Sequence, residues 1–382
     1  MSSILLSAAL IVRNEARYLD DCLASISGLV DEAVVVDTGS TDDTKAIAAR
    51  RGARVFDFPW CDDFAAARNR ALELARGAWI LYIDADERTR CADPAALRAQ
   101  LGDPRFIGLQ VRFHVHSGHT PYPELRLFRN DPRIRFESVI HETVWPSILR
   151  QLARGNGQVG ASDLEIVHLG YVGDLAHKAA RNLPFLERAV QSDPDRVYLW
   201  CELAKTYDAQ NRQADAARAF RKALSIVRAR EVTDAGDVVA YIDAFRWRVQ
   251  RGRPPDRLLV DGLRRFPTNG QLQWNHACRL LERRDFERAL AAFQALLSAH
   301  DLGVLDPTVA YDLRIFGVFG YEAMATCCFK LGRYAEAARY FARALAEEPE
   351  HAALRAKLQM AERFAPPDNV VTPGPGSTKI VG

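Results

Sequence analysis

At 382 residues the chain exceeds one ordinary domain and suits two, each large enough to bury its own core. Hydrophobic residues make up 48% and charged residues 26%, an ordinary globular composition. The formal net charge of +2 gives no basis for a nucleic-acid partner or an anionic membrane surface. The 7 cysteines are scattered, odd in number and contain no C-x-x-C pair, so they read as reduced thiols in a cytoplasmic protein.

The first apolar run, Leu6 to Val12, has no basic start and stops at Arg13-Asn14-Glu15 rather than at a cleavage site. It is predicted as a buried strand, not a signal peptide. No stretch reaches the roughly 20 apolar residues of a transmembrane helix. Leu19, Leu23, Ile26 and Val30 then fall at helical spacing. Ala33-Val34-Val35-Val36 is continuous and β-branched, as a strand covered on both faces should be. A helix over Thr41 to Ala49 follows, with Ser40 or Thr41 as its N-cap. Arg54-Val55-Phe56 is a third run, Asp62 to Arg76 a third helix, and Trp79 to Ile83 a fourth run. This cadence predicts a parallel sheet in an α/β domain. Ligands gather beyond the carboxyl ends of such strands, where Asp37 and Asp84 both stand.

From Arg181 onward helical patterns take over. Trp200, Leu203, Ala204, Tyr207, Ala216, Phe220 and Ala223 have the spacing of a tetratricopeptide helix pair. Tyr321, Met324, Ala325, Cys328, Ala337, Phe341, Ala344 and Pro349 repeat it. A third copy around Trp274, Ala277, Ala289 and Phe293 reads as having a turn shortened by one residue, and Val238 to Pro267 as a degenerate pair. The Pro- and Gly-rich segment from Pro366 is expected to be a disordered tail. The domains are therefore 1–175 for the α/β part, 176–365 for the all-α repeats and 366–382 for the tail.

Asp84-Ala85-Asp86 follows the fourth run directly. Two carboxylates one residue apart at a strand end can converge on one hard cation, Mg²⁺ or Mn²⁺, bridging to a diphosphate. An acidic pair can also simply solvate a loop. His114, His116 and His119 are closely spaced, but no fourth zinc ligand accompanies them. Neither G-x-G-x-x-G after the first strand nor G-x-x-x-x-G-K-[ST] occurs, which disfavours a dinucleotide or P-loop fold.

The blocks Ala9 to Glu15, Val34 to Asp42, Asp62 to Asn69 and Ile83 to Asp86 resemble, in order and spacing, those of family 2 glycosyltransferases. The resemblance covers roughly the first 170 residues. It implies a GT-A fold, a nucleotide-sugar donor with UDP the usual nucleotide, a divalent metal and inversion at the anomeric carbon. By it, Asp37 would accept from the base, although an Asx-turn carboxylate holding Gly39 and Ser40 is the alternative. Asn14, Glu15, Arg68, Asn69 and Asp84 belong to the nucleotide-facing set, each with a helix cap or surface charge as the plainer reading. Ile140-His141-Glu142 is similar to the segment that supplies the catalytic base, with His-Glu where many relatives have Glu-Asp. Glu142 is the candidate base and His141 its rival. His168 resembles the histidine that completes the metal site with Asp84 and Asp86, and a hydrogen-bonded core histidine is the alternative. Lys178 and Arg181 could meet the diphosphate or form a solvated face.

The expected activity is metal-dependent, inverting transfer of a hexosyl or N-acetylhexosaminyl group from a nucleotide-sugar. Relatives of this build include bacteriocin S-glycosyltransferases, so a peptide or protein acceptor held by the repeats is the first expectation. A surface-glycan acceptor is the second, and a non-catalytic nucleotide-sugar-binding scaffold the third. Self-association through the repeats is a further partner reading.

Overall fold

The computed structural model describes residues 4–115, 117–169 and 175–365, with the side chains of 175–178 outside that description. The junction expected at 175/176 borders the undescribed stretch, and the tail over 366–382, His116 and the Lys178 side chain lie outside the described residues.

The chain alternates as expected through β1 (Leu6–Val12), α1 (Leu19–Ile26), β2 (Glu32–Asp37), α2 (Thr44–Arg50), β3 (Arg54–Asp57), α3 (Phe64–Leu74) and β4 (Trp79–Tyr82). These four strands pair in parallel, with Leu10 opposite Val35 and Ala8 opposite Leu81. Two helix starts differ from the sequence reading. Ser40 and Thr41 do not cap α2, whose N-cap is Asp43. The Ser40 hydroxyl instead accepts from the Asn14 backbone N–H at 2.9 Å. Asp63 caps α3, its carboxylate accepting from the Ala66 N–H.

The sheet is not wholly parallel. It continues through β5 (Glu87–Arg90), α4 (Pro94–Gly102), β6 (Phe106–His114), β7 (Tyr122–Arg129), α5 (Trp145–Ala153) and β8 (Gln158–His168). The strand order is β3-β2-β1-β4-β7-β6-β8-β5. β7 runs antiparallel to both β4 and β6, and β5 antiparallel to β8. Half of the sheet therefore follows the strand–helix rhythm and half is a mixed extension, the GT-A-like arrangement that the resemblance implied. Apolar side chains fill both faces, with Leu10, Trp79 and Leu127 in one layer and Val34, Ile80 and Phe128 in the other.

By spatial contact the described chain forms two compact units. The first holds the sheet and continues through α6 (Leu175–Ser192), α7 (Val197–Ala209), α8 (Gln213–Ala229), α9 (Val239–Val249) and α10 (Asp256–Arg265). The second contains α11 (Gly270–Glu282), α12 (Phe286–Asp301), α13 (Val318–Lys330), α14 (Tyr334–Glu347) and α15 (Ala352–Phe364). All four helix pairs read from the sequence are present. The turn of the third is not shortened, however. Asn211, Arg284 and Gly332 each adopt left-handed φ at the middle of the turns 210–212, 283–285 and 331–333. What shifts is Trp274, one position nearer its turn than Trp200 is, where it packs at 5.2 Å on Phe293. Among the described residues no helix is long and apolar enough to cross a membrane.

Gly77 fixes how closely the loop before β4 approaches β1. A Cβ there would lie 2.5 Å from the Ser7 hydroxyl oxygen and 2.8 Å from the Ser7 nitrogen. Gly77→Ala should therefore destabilise the sheet unit by about 1–3 kcal/mol, read as a lowered urea midpoint at unchanged m-value.

Candidate active site

A cavity of about 580 Å³ opens at the carboxyl ends of β1 and β4. Val12, Arg13, Glu15 and Thr38 line one part, Asp84, Ala85 and Asp86 another, and Arg68, His141, Glu142 and His168 are also in the lining. Trp60, Phe64 and Phe185 add an aromatic wall of edge-to-face rings, with centroids 4.7 and 6.4 Å apart.

Arg68 is the charged centre of the site. Helix α3 carries it inward, where its guanidinium is almost fully buried over the rings of Tyr82 and Phe136 at 5.2 and 5.6 Å. Its Nη2 donates to Asp84 Oδ1 and its Nε to Glu142 Oε1, each at 2.7 Å. Residues far apart in sequence are thereby held on one cation. Burial resists ionisation of Asp84, but the nearby charges of Arg68 and Arg126 outweigh it and hold the carboxyl below its ordinary range. The two carboxylates in turn keep the Arg68 guanidinium charged despite its burial.

Glu142 projects from a short closed loop. Glu137 and Thr143 exchange backbone hydrogen bonds at 3.0 and 3.1 Å, and Ser138 and His141 within the loop have left-handed φ of 81° and 50°. Strain of this kind, about 1–3 kcal/mol per residue, persists only where the surroundings over-determine it. Asn69 is one such restraint. Its amide Nδ2 donates to the Phe136 carbonyl at 3.0 Å, and its Oδ1 accepts from the Phe136 N–H at 2.8 Å. Asn69, expected among the nucleotide-facing residues, is turned to this loop. Its amide group is engaged by the backbone entering the loop, and it is absent from the cavity lining.

The Asp84-Ala85-Asp86 turn is braced from behind by residues that the sequence reading missed. Glu87 accepts from the Asp84 N–H at 2.9 Å and receives two bonds from Arg126, at 2.8 and 3.1 Å. Arg126 is buried between Tyr82 and Phe113, 4.5 and 4.7 Å from the ring centroids. A sequence signal existed: Arg126 stands alone between Leu125 and Leu127 on a strand covered on both faces, so its charge needed a buried partner.

His168, at the end of β8, hydrogen-bonds Asp86 through Nε2 and Oδ2 at 3.1 Å. Burial alone would lower this imidazole, but the Asp86 bond and the charges of Asp86, Glu87 and Asp84 raise it above 6.5. Among the described residues no three His, Cys, Asp or Glu side chains are grouped as a metal site. The protein therefore presents one oxygen–imidazole pair in contact, with Asp84 beside it in the same lining. That donor chemistry fits Mg²⁺ or Mn²⁺ if substrate oxygens supply the remaining ligands. Of the closely spaced histidines, His114 lies 3.6 Å from Glu165, and the backbone of His119 forms an antiparallel bridge with that of Asp312.

At the end of β2, Asp37 forms the Asx turn that was its alternative reading. Its Oδ1 accepts from the Gly39 and Ser40 N–H groups at 2.9 and 2.8 Å, the Asx turn. Its Oδ2 is buried with no hydrogen-bond partner, and Asp37 is absent from the cavity lining. Asn14 does not reach the cavity. Its side-chain oxygen accepts from the Thr41 N–H at 2.8 Å, tying the β1 and β2 loops together. Glu15 does line the cavity, with its N–H donating to the Thr44 hydroxyl.

Residues 7–144 match the family described as Glycosyl transferase family 2, and residues 197–228 and 318–351 match tetratricopeptide repeats. A TPR repeat-containing protein of Synechococcus elongatus is 41% identical over 204 residues, 52% of this chain and 51% of its own length. The SPbeta prophage-derived glycosyltransferase SunS of Bacillus subtilis is 26% identical over 205 residues, 50% of this chain and 46% of its own. The chain thus spans about half the length of these curated relatives. Among solved structures, glucosyl-3-phosphoglycerate synthase of Mycobacterium tuberculosis in complex with Mn²⁺, UDP and phosphoglyceric acid is 18% identical, with a TM-score of 0.38. That match covers 48% of this chain and 77% of the synthase, and at that score it carries no argument about the donor.

The Arg126–Glu87 pair has one direct consequence. Both side chains are buried, and burial already pushes the Glu87 carboxyl up to about 7, so Arg126→Met removes the cation that faces it and also pairs with Glu124. The variant should lose about 3–5 kcal/mol of stability by urea denaturation, and adding Glu87→Gln should recover part of that loss.

Proposed function

We propose that the chain, which carries a family 2 glycosyltransferase domain over residues 7–144 followed by tetratricopeptide repeats, is a nucleotide-sugar-dependent inverting glycosyltransferase. The observation that carries this reading is the Arg68 bridge, which holds Asp84 of the acidic turn and Glu142 of the base loop on one buried cation.

The nucleotide would lie toward Val12, Glu15 and Thr38, with the free Asp37 Oδ2 accepting an imide N–H of the base. Uracil supplies such a donor, in keeping with the UDP that the family resemblance implies. Asp86 and His168, with Asp84, would hold Mg²⁺ or Mn²⁺ once a diphosphate arrives to share its coordination. Such a cation would neutralise negative charge developing on the leaving diphosphate.

Glu142 would be the general base. Its Oε1 is engaged by Arg68, leaving Oε2 to take the proton of an acceptor hydroxyl or thiol. In one displacement the acceptor atom bonds to the anomeric carbon while the carbon–oxygen bond to the diphosphate breaks. The bonding pair leaves with the nucleoside diphosphate, the proton stays on Glu142, and the anomeric configuration inverts. His141 is the rival base, and burial lowers its imidazole. Its ring stands against Tyr198 at 5.2 Å and 4.0 Å from Glu202, which favours Glu142.

For the acceptor, the tetratricopeptide pairs favour a polypeptide, because stacked helix pairs present grooves suited to peptides. A glycan acceptor is the competing reading. The buried thiols Cys22 and Cys201 fit the cytoplasmic location expected from the cysteine pattern.

A thermal-shift panel of UDP, GDP and their sugars tests the donor. A UDP-sugar with Mn²⁺ should raise Tm, since ligand at about 100 times Kd adds about 2.7 kcal/mol. Asp86→Asn should remove the Mn²⁺-dependent part of that shift, and no response to any nucleotide-sugar would sink the reading.

Glu142→Gln should keep the thermal response to the donor yet slow transfer by about 10²-fold or more. Equal loss of binding and turnover would move the base to His141 or make Glu142 structural. For the acceptor, full-length protein in a lysate with labelled UDP-sugar should label protein. Label confined to lipid or oligosaccharide fractions would select the glycan reading.

A further inference from the structure

The loop that presents His141 and Glu142 rests on helices that the sequence assigns to the repeat region. Ile140, the residue before His141, is buried in a cluster with Leu186, Ala189 and Val190 of α6 and Leu199 and Leu203 of α7. Val139 and Phe64 pack against the same cluster, and the Phe64 N–H donates to the Val139 carbonyl at 3.0 Å. Arg196, the residue that opens α7, donates from Nη2 to the His141 carbonyl at 2.8 Å. It is half-buried, and the Glu142 carboxylate is among the charges that act on it.

These contacts meet a specific need. The loop has two residues at left-handed φ; within it Glu137 pairs with Thr143, and the Ser138 hydroxyl donates to the Ile140 carbonyl at 2.8 Å. From the sheet side, Asn69 fixes the loop's entry at Phe136, and Arg68 fixes the Glu142 side chain. Phe64 of α3 also reaches the loop from that side, through its N–H to the Val139 carbonyl and its packing on the Ile140 cluster, while Arg196 of the helical side holds the His141 carbonyl. The hydrogen bond to a charged donor and the burial of Ile140 against α6 and α7 restrain the loop beside the left-handed His141.

We infer that Arg196, with the Leu199 and Leu203 face of α7, positions the 137–143 loop, so that the first tetratricopeptide pair is a working part of the catalytic unit. Arg196 is a positioning residue: it reaches the loop backbone and leaves the reacting atoms to Glu142. On this view a functional boundary drawn near residue 175 would cut through the site. The inference gives Arg196 its importance through the transferase reading, but the contact itself can be measured without any substrate.

The test is amide hydrogen exchange by mass spectrometry on the full chain, comparing wild type with Arg196→Ala, Arg196→Lys and Leu199→Ala. Arg196→Ala should speed exchange in peptides covering 136–144 by about tenfold or more, leaving β4 and β6 protected as in wild type. Arg196→Lys, which keeps a cationic donor, should restore part of the protection. Leu199→Ala removes the seat of Ile140 by a separate route and should loosen the same peptides. Unchanged exchange over 136–144 in both alanine variants overturns the inference. So does an equal rise throughout the sheet, which would mean that α7 supports the whole unit and not the loop. With a responsive UDP-sugar in hand, Arg196→Ala should lower turnover at unchanged donor KM, and Arg196→Lys should recover part of it. Loop loosening without any donor response would leave the inference standing and count against the transferase reading alone.

Discussion

A guanidinium buried between two carboxylates is the interaction on which this site depends. Arg68 could not be taken out of water alone, and neither Asp84 nor Glu142 would keep its position without a shared cation. The bridge converts sequence-distant segments into one geometric unit: the acidic turn after β4 and the loop before α5. The aromatic faces of Tyr82 and Phe136 complete the seat and limit the directions in which the guanidinium can donate.

Around that bridge the protein repeats one device, a polar side chain that fixes neighbouring backbone. Glu87 holds the Asp84 N–H and is itself held by Arg126. Asn69 pairs with both backbone groups of Phe136. Asn14 and Ser40 join the loops after β1 and β2. None of these side chains is in the cavity lining. Pre-organisation of this kind holds charge in place before substrate arrives, which is where electrostatic catalysis draws its advantage.

The repeats divide between two roles. In the second unit, Ala277, Phe293, Ala325, Phe341 and Ala344 form a core made by helix pairs packing on one another. In the first unit, α6 and α7 bury residues of the sheet domain as well, including Ile140. A pattern shared by all the pairs therefore does not reveal which pair is tied to the catalytic domain, because the spacing encodes only how a helix packs on its own partner.

Much of this was legible in the sequence. The apolar runs of β1 to β4 and the spacing of the helix pairs are local patterns, and burial of one face follows from periodicity alone. The acidic turn was legible for the same reason: it directly follows a strand whose end must face the crevice. The mixed half of the sheet was not, since β8 pairs with β5 and β6 across long separations and in opposite directions. Nor could sequence distinguish Asn69 from Arg68, adjacent residues in one motif. A helix turns about 100° per residue, so neighbours point to different surroundings. Only the packed structure decides that Arg68 enters the cavity while Asn69 holds the loop behind it, because that choice rests on where Phe136 arrives from 67 residues away.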